Sequence, residues 1–316
     1  MMNIMYSCNN GYVMQTIVSM VSLFENNQNT SIVIYLIEDQ IDCINIQFIT
    51  KIVEQYGNKI VVLPIEKLIP KNLIVTNHRH PHTIYAKLFL RNIEGVNRLL
   101  YLDSDTIIYS SLKELYNIEL KEEEIVAGVS MPYSFHLKKT MGIIEYPFIC
   151  DGIVMIDVEK WNKNRYQEKC IEYIKQHEGN PPMLSEGTLN YVCQGHVKIV
   201  APKFNLMPHM LFFKSHEIEK VFRTDNYYTT EEINYAKKNP VIIHFLKELY
   251  ERPWNKGCRH PKKSEFKKYY EMVFYDNLKK GKKSLPVTVM ITKTAYRLLP
   301  FNLFLWLYHR VNHDFL

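Results

Sequence analysis

Across its first hundred residues the chain alternates short, β-branched apolar runs with longer stretches of helical period, and few folds accept that rhythm. Residues 2–8, 31–37 and 59–63 read as strands, whereas residues 13–24 and 42–56 carry apolar side chains at the spacing of a helix with one buried face. A strand that is followed by a covering helix and then by another strand crosses over the sheet, so neighbouring strands come out parallel. The expected fold is therefore α/β with a mostly parallel central sheet. A helix through residues 85–90 leads into a fourth strand, 98–102, which stops at Asp103. Later, residues 125–129, 148–157 and 241–244 read as strands, and residues 165–177 and 186–193 as helices.

In open α/β sheets ligands sit beyond the carboxyl ends of strands. Here those ends carry Cys8-Asn9-Asn10-Gly11 and Asp103-Ser104-Asp105. Two aspartates flanking one small residue direct both carboxylates to one point, and hard divalent cations prefer carboxylates, with imidazole tolerated by manganese. An Asp-x-Asp triplet is also common in solvated turns. The metal reading gains from the apolar strand that precedes Asp103 and from a second apolar run, residues 241–245, that contains His244. A lone histidine there reads as a core residue; with Arg252-Pro253-Trp254 close behind, a third ligand is the better reading. Such a cation neutralises a diphosphate as it leaves.

At 316 residues the chain can bury one large core. Its 47% hydrophobic and 23% charged residues exclude a disordered chain and a multi-span membrane protein. The net charge of +6 is concentrated late, around Lys262-Lys263, Lys267-Lys268 and Lys279 to Lys283, without a nucleic-acid-binding module, so no nucleic-acid partner is expected. Six scattered cysteines without CxxC pairs read as buried thiols in a reducing compartment. With no signal segment and no run of about 18 apolar residues, the expected location is cytoplasmic. The division expected is a catalytic domain over 1–284 and a basic, aromatic tail over 285–316. That tail reads either as a peripheral attachment to the inner face of the cell membrane or as an ordinary helix packed on the domain.

Taken together, these segments resemble glycosyltransferase family 8, the retaining group that includes bacterial lipopolysaccharide galactosyl- and glucosyltransferases and is similar to glycogenin. The resemblance is carried by Ser7-Cys8-Asn9-Asn10-Gly11-Tyr12, Tyr85-Ala86-Lys87-Leu88, Tyr101-Leu102-Asp103-Ser104-Asp105, a Gly152-centred strand ending at Asp157, and His244-Phe245 with Arg252-Pro253-Trp254. It implies a single Rossmann-like domain of the GT-A type and transfer of galactose or glucose from a UDP-sugar. The implied acceptor is a glycan or lipid-linked oligosaccharide in bacterial surface polysaccharide synthesis. It further implies that Asp103, Asp105 and His244 hold Mn2+ (or Mg2+), that Asn9 hydrogen-bonds the uracil and Tyr12 stacks on it, and that Lys87 and Arg252 meet the sugar and diphosphate. Ser7 and Ser104 belong to the same binding set.

Three departures from the family pattern stand out. Cys150-Asp151-Gly152 replaces Asn-Ala-Gly or Asn-Ser-Gly, Ser185-Glu186 replaces Asp-Gln, and the connection 245–251 is two residues longer and lacks its glycine. Glu186 or Asp151 is expected to stabilise an oxocarbenium-like centre; Glu186 also reads as a charge favouring a helix N-terminus. Two other classes compete: a haloacid-dehalogenase-type phosphatase, because Leu102 to Ile107 resembles its opening motif, and a non-catalytic sugar-nucleotide-binding protein.

Overall fold

The computed structural model describes residues 1–70, 73, 75, 82–143, 145–274, 276, 278–283 and 285–311. Its strands are β1 (Met2–Asn9), β2 (Ile32–Asp39), β3 (Lys59–Pro64), β4 (Arg98–Leu102), β5 (Thr106–Ile108), β6 (Val126–Ser130), β7 (Ile149–Asp157), β8 (Val197–Ile199) and β9 (Ile242–His244). Seven form one sheet in the order β3-β2-β1-β4-β7-β6-β8, and β5 pairs with β9 in a separate ribbon. The β3-β2-β1-β4 half is parallel, as the alternation requires, and β7 alone runs antiparallel to its neighbours β4 and β6. Every residue of β7 from Ile149 to Ile156 is buried, because helices cover both faces of the sheet.

The helix Val13–Glu25 is buried on nearly all sides, since it lies under both the main sheet and the β5-β9 ribbon. Such a helix needs partners for any polar side chain it carries. Thr16, Ser19 and Ser22 find theirs in the segment after Asp103. Thr16 Oγ1 lies 2.8 Å from Ser104 Oγ, Ser19 Oγ lies 3.0 Å from Thr106 Oγ1, and Ser22 Oγ accepts from the Ile108 amide at 2.9 Å. This ladder pins residues 104–108.

Two local expectations are corrected. Residues 85–90 do not form an α-helix; His82–Leu88 is a 3-10 run that ends before Phe89. Tyr85, Ala86, Lys87 and Leu88 are all buried there, leaving no solvent face for an amphipathic helix, and the lead-in 76–81 lies outside the described residues. The cysteines are not all buried either: Cys43 is exposed at the first turn of the helix Cys43–Gln55.

At the C-terminal end, the helix Val287–Leu298 is only half-buried on its inner face, through Ala295 and Tyr296, and Phe301–Val311 buries Phe304; both expose their other face. Phe304 is 1% exposed and packs against Phe213, Tyr296 and Tyr308, while Val287, Ile291, Leu298, Trp306 and Val311 face solvent. Residue 284, at the expected boundary, and residues 312–316 lie outside the described residues. Among the described residues no helix is long and apolar enough to cross a membrane.

Candidate active site

β4 delivers Asp103 to the carboxyl edge of the sheet, where its amide donates to Gly152 O at 2.7 Å. Three residues on, the chain enters β5, whose register sets Thr106 opposite His244 of β9. That pairing brings the two halves of the metal candidate together. Asp103, Asp105 and His244 offer ligand atoms that all lie within 4.8 Å of one another. His244 is fully buried; its Nε2 is 3.0 Å from Asp105 Oδ1 and 3.8 Å from Asp103 Oδ2, and its Nδ1 is 3.1 Å from Asn205 Oδ1. An amide oxygen only accepts, so Nδ1 carries the hydrogen and Nε2 faces the carboxylates, the orientation a ligating imidazole adopts.

Space has been left for this convergence. A Cβ on Gly152 would stand 2.4 Å from His244 Cε1 and 2.6 Å from Asp103 Oδ2, so only glycine fits. Two carboxylates, one oriented imidazole and a glycine floor fit a hard divalent cation.

With protein groups alone, protons and cations balance the acids. Burial lowers His244, but Asp105 and then Asp103 outweigh it and hold the imidazole above its ordinary value. Burial would raise Asp105, yet His244 and Arg252 bring it down to about 2. Arg252 Nη2 is 2.7 Å from Asp105 Oδ2, and its Nη1 donates to Tyr12 OH at 2.7 Å. Asp103, pushed up by burial against the pull of Lys87, accepts from Tyr101 OH at 2.8 Å.

A cleft of about 500 Å³ opens beside these groups, lined among others by Ser7, Asn9, Tyr12, Asp103, Ser104 and Asp105. Lys247 and Arg252 line it as well. Asn9 Oδ1 accepts from the Gly11 amide at 3.1 Å, capping the turn that presents Tyr12. Ser7 Oγ bonds Thr83 O and lies 2.9 Å from Tyr101 OH, so Ser7 braces the wall.

Lys87 is not a surface lysine. It is 2% exposed, with Nζ 2.9 Å from Asp151 Oδ2, 3.9 Å from Asp103 Oδ1 and 4.3 Å above the Tyr101 ring. Burial opposes its charge most strongly, but Asp151, Tyr101 and Asp103 together outweigh it and raise it. Asp151, on β7, also accepts from Ser185 Oγ at 2.7 Å. Glu186 occupies the first turn of the helix Leu184–Val192 and accepts from Tyr133 OH at 2.8 Å. Burial, then the charge of Asp151, push its carboxyl up to about 8. The helix is anchored by Asn190, which exchanges hydrogen bonds with the Ile149 backbone at 2.7 and 2.8 Å.

All eleven residues singled out from the sequence thus lie in one connected cluster, and four further residues support it without having been given a role from the sequence. Tyr101, Tyr133, Ser185 and Asn205 act through contacts with residues far along the chain; Tyr101, two positions before Asp103 on β4, and Ser185, beside Glu186, carried a local signal, whereas Tyr133 and Asn205 did not.

A mixed, mostly parallel sheet with an acidic pair and a histidine at its carboxyl edge is the architecture of the GT-A glycosyltransferases. This chain belongs to the Glycosyl transferase family 8, which matches residues 3–258. Among its relatives are a lipopolysaccharide 1,2-glucosyltransferase of Escherichia coli, 22% identical over 87% of this chain and 80% of that one, and a lipopolysaccharide 1,3-galactosyltransferase of Salmonella typhimurium, 24% identical over 82% and 74%. The crystal structure of the galactosyltransferase LgtC with donor and acceptor sugar analogues superposes with a TM-score of 0.69 at 18% identity, covering 86% of this chain and 96% of that one. The family assignment removes the phosphatase reading.

Proposed function

We propose that the protein is a retaining hexosyltransferase that moves galactose or glucose from a UDP-sugar to a glycan or lipid-linked acceptor in bacterial surface polysaccharide synthesis. The observation that carries this reading is the meeting of Asp103, Asp105 and His244 within 4.8 Å, beside a cleft lined also by Arg252 and Lys247. Asp103, Asp105 and His244 would hold Mn2+ or Mg2+, which when bound offsets the charge of the diphosphate. Asn9 and Tyr12 receive the uracil, with Ser7 and Ser104 shaping the cleft. Arg252 and Lys87 supply positive charge that favours nucleotide departure.

The two acids near the reacting carbon take different parts. Asp151 is held at Oδ2 by both Lys87 and Ser185, which fixes its position and makes it a negative charge beside the site rather than a free nucleophile. Glu186, raised to about 8, is protonated at neutral pH and is a poor nucleophile in that form. This favours attack on the same face as departure. The bond from the sugar C1 to the β-phosphate oxygen breaks with its electron pair leaving on UDP, the acceptor oxygen bonds to C1, and the acceptor proton passes to the departing phosphate oxygen. Asp151 stabilises the oxocarbenium-like carbon meanwhile.

The tail, residues 285–316, serves in this reading as a peripheral attachment to the cytoplasmic face of the membrane. Its support is the exposed apolar face of both helices with Lys279, Lys280, Lys282, Arg297 and Arg310 nearby. Incubation with Mn2+ and UDP-galactose or UDP-glucose, with and without a lipid-linked oligosaccharide, tests the function: UDP release is expected, and binding without release would make the protein a sugar-nucleotide-binding protein instead.

A further inference from the structure

The connection between His244 and Arg252 contains no helix or strand, yet it supplies Lys247 to the cleft and ends at the arginine that meets Asp105. Such a segment is ordered only where something outside it removes its freedom. Here the restraint comes from the helix Val287–Leu298. Lys293 Nζ donates to Leu249 O at 2.6 Å and lies 4.4 Å from the Tyr250 ring and 5.5 Å from that of Phe212. One step nearer the arginine, the amide of Leu285 donates to Glu251 Oε2 at 3.0 Å; Glu251 is 2% exposed, and its Oε1 accepts from Asn255 Nδ2 at 2.9 Å. From the other side the His260 ring sits 4.6 Å from Phe245 and 5.0 Å from Tyr250.

We propose that the helix Val287–Leu298 is part of the donor site, with Lys293 the positioning residue that holds the 245–251 connection and so sets the Arg252 guanidinium against the diphosphate. The inference rests on the donor-site reading above. Among the described residues Lys293 makes no hydrogen bond, ion pair or ring contact with the cleft lining; it acts through the carbonyl of Leu249 and the ring of Tyr250, the two residues that precede Glu251. An ammonium shared between a carbonyl and two aromatic faces is suited to this, because a partly desolvated cation–π contact is stronger than an exposed one.

Titration of the full chain with UDP in saturating Mn2+ provides the test. Lys293→Met keeps the apolar stem and removes the charge and the hydrogen bond. It is expected to raise the Kd for UDP about tenfold and to raise KM for the UDP-sugar more than it lowers kcat. Lys293→Arg, which keeps a cation over the rings, is expected to recover most of the affinity. Faster amide exchange at residues 246–250 in Lys293→Met, read without nucleotide, would tie the loss to the connection. A purely structural lysine would lower Tm and leave Kd alone, so a Kd within twofold of the wild type overturns the inference. A wild-type protein that binds no UDP sinks the donor-site reading and this inference together.

Discussion

His244 Nε2 lies 3.0 Å from Asp105 Oδ1 across 139 residues of chain, and Asn205 holds the opposite ring nitrogen at 3.1 Å. The three groups form a relay in which the amide sets the tautomer and the tautomer sets which nitrogen faces the cation. Replacing His244 with alanine should weaken Mn2+-dependent UDP binding at least about tenfold. Asn205→Ala, which touches no carboxylate, should still cost metal affinity by roughly 10–100-fold. Calorimetric titration with Mn2+, with UDP present, reads both; unchanged affinity in either variant argues against the relay.

Gly152→Ala isolates space from charge. Its methyl group would meet His244 and Asp103 within 2.4 and 2.6 Å, so the ligands must move apart. Overpacking of this kind costs about 1–3 kcal/mol. Metal-dependent UDP binding should fall more than tenfold, while far-UV circular dichroism stays that of the wild type.

Glu186 makes a pH prediction whose sign follows from its position. Its carboxyl is pushed from 4.5 to about 8 by burial and then by Asp151. A group held above its unfolded value favours folding while protonated, so its contribution is complete below pH 4.5 and is lost as pH rises through about 8. Glu186→Gln, which still accepts from Tyr133, should therefore gain on the wild type progressively as pH rises from about 4.5 to about 8, by up to roughly 4 kcal/mol near pH 8.5, read as a higher Tm. Below about pH 4 the two melting curves should coincide. Transfer at neutral pH should stay near the wild-type rate in Glu186→Gln and slow in Asp151→Asn; normal turnover in Asp151→Asn would remove its assigned role.

Leu298 and Trp306 are 76% and 54% exposed, so replacing both by serine leaves the buried face of the tail intact. Flotation of the full chain with vesicles rich in anionic phospholipid should drop in this variant, and wild-type flotation should weaken with added salt. Equal flotation of the two proteins would leave the tail as a packing element alone.

Much of this architecture is legible from one-dimensional pattern. The β/α alternation through residue 102 predicts parallel strands because apolar period reports which faces are buried, and the end of β4 marks Asp103 and Asp105 because ligands gather at that edge. Even the hydroxyl ladder has a trace, in Thr16, Ser19 and Ser22 spaced by threes along an apolar helix. His244 was found because it too ends an apolar run. Local pattern says nothing, however, about partners. That β7 is reversed between β4 and β6, that β5 pairs with β9, and that Tyr133 meets Glu186 or Lys293 meets Leu249 are all consequences of long-range packing. The same limit explains Lys87. Its residue type points to a solvated surface, and only the assembled fold, with Asp151, Asp103 and the Tyr101 ring around it, makes a buried ammonium stable.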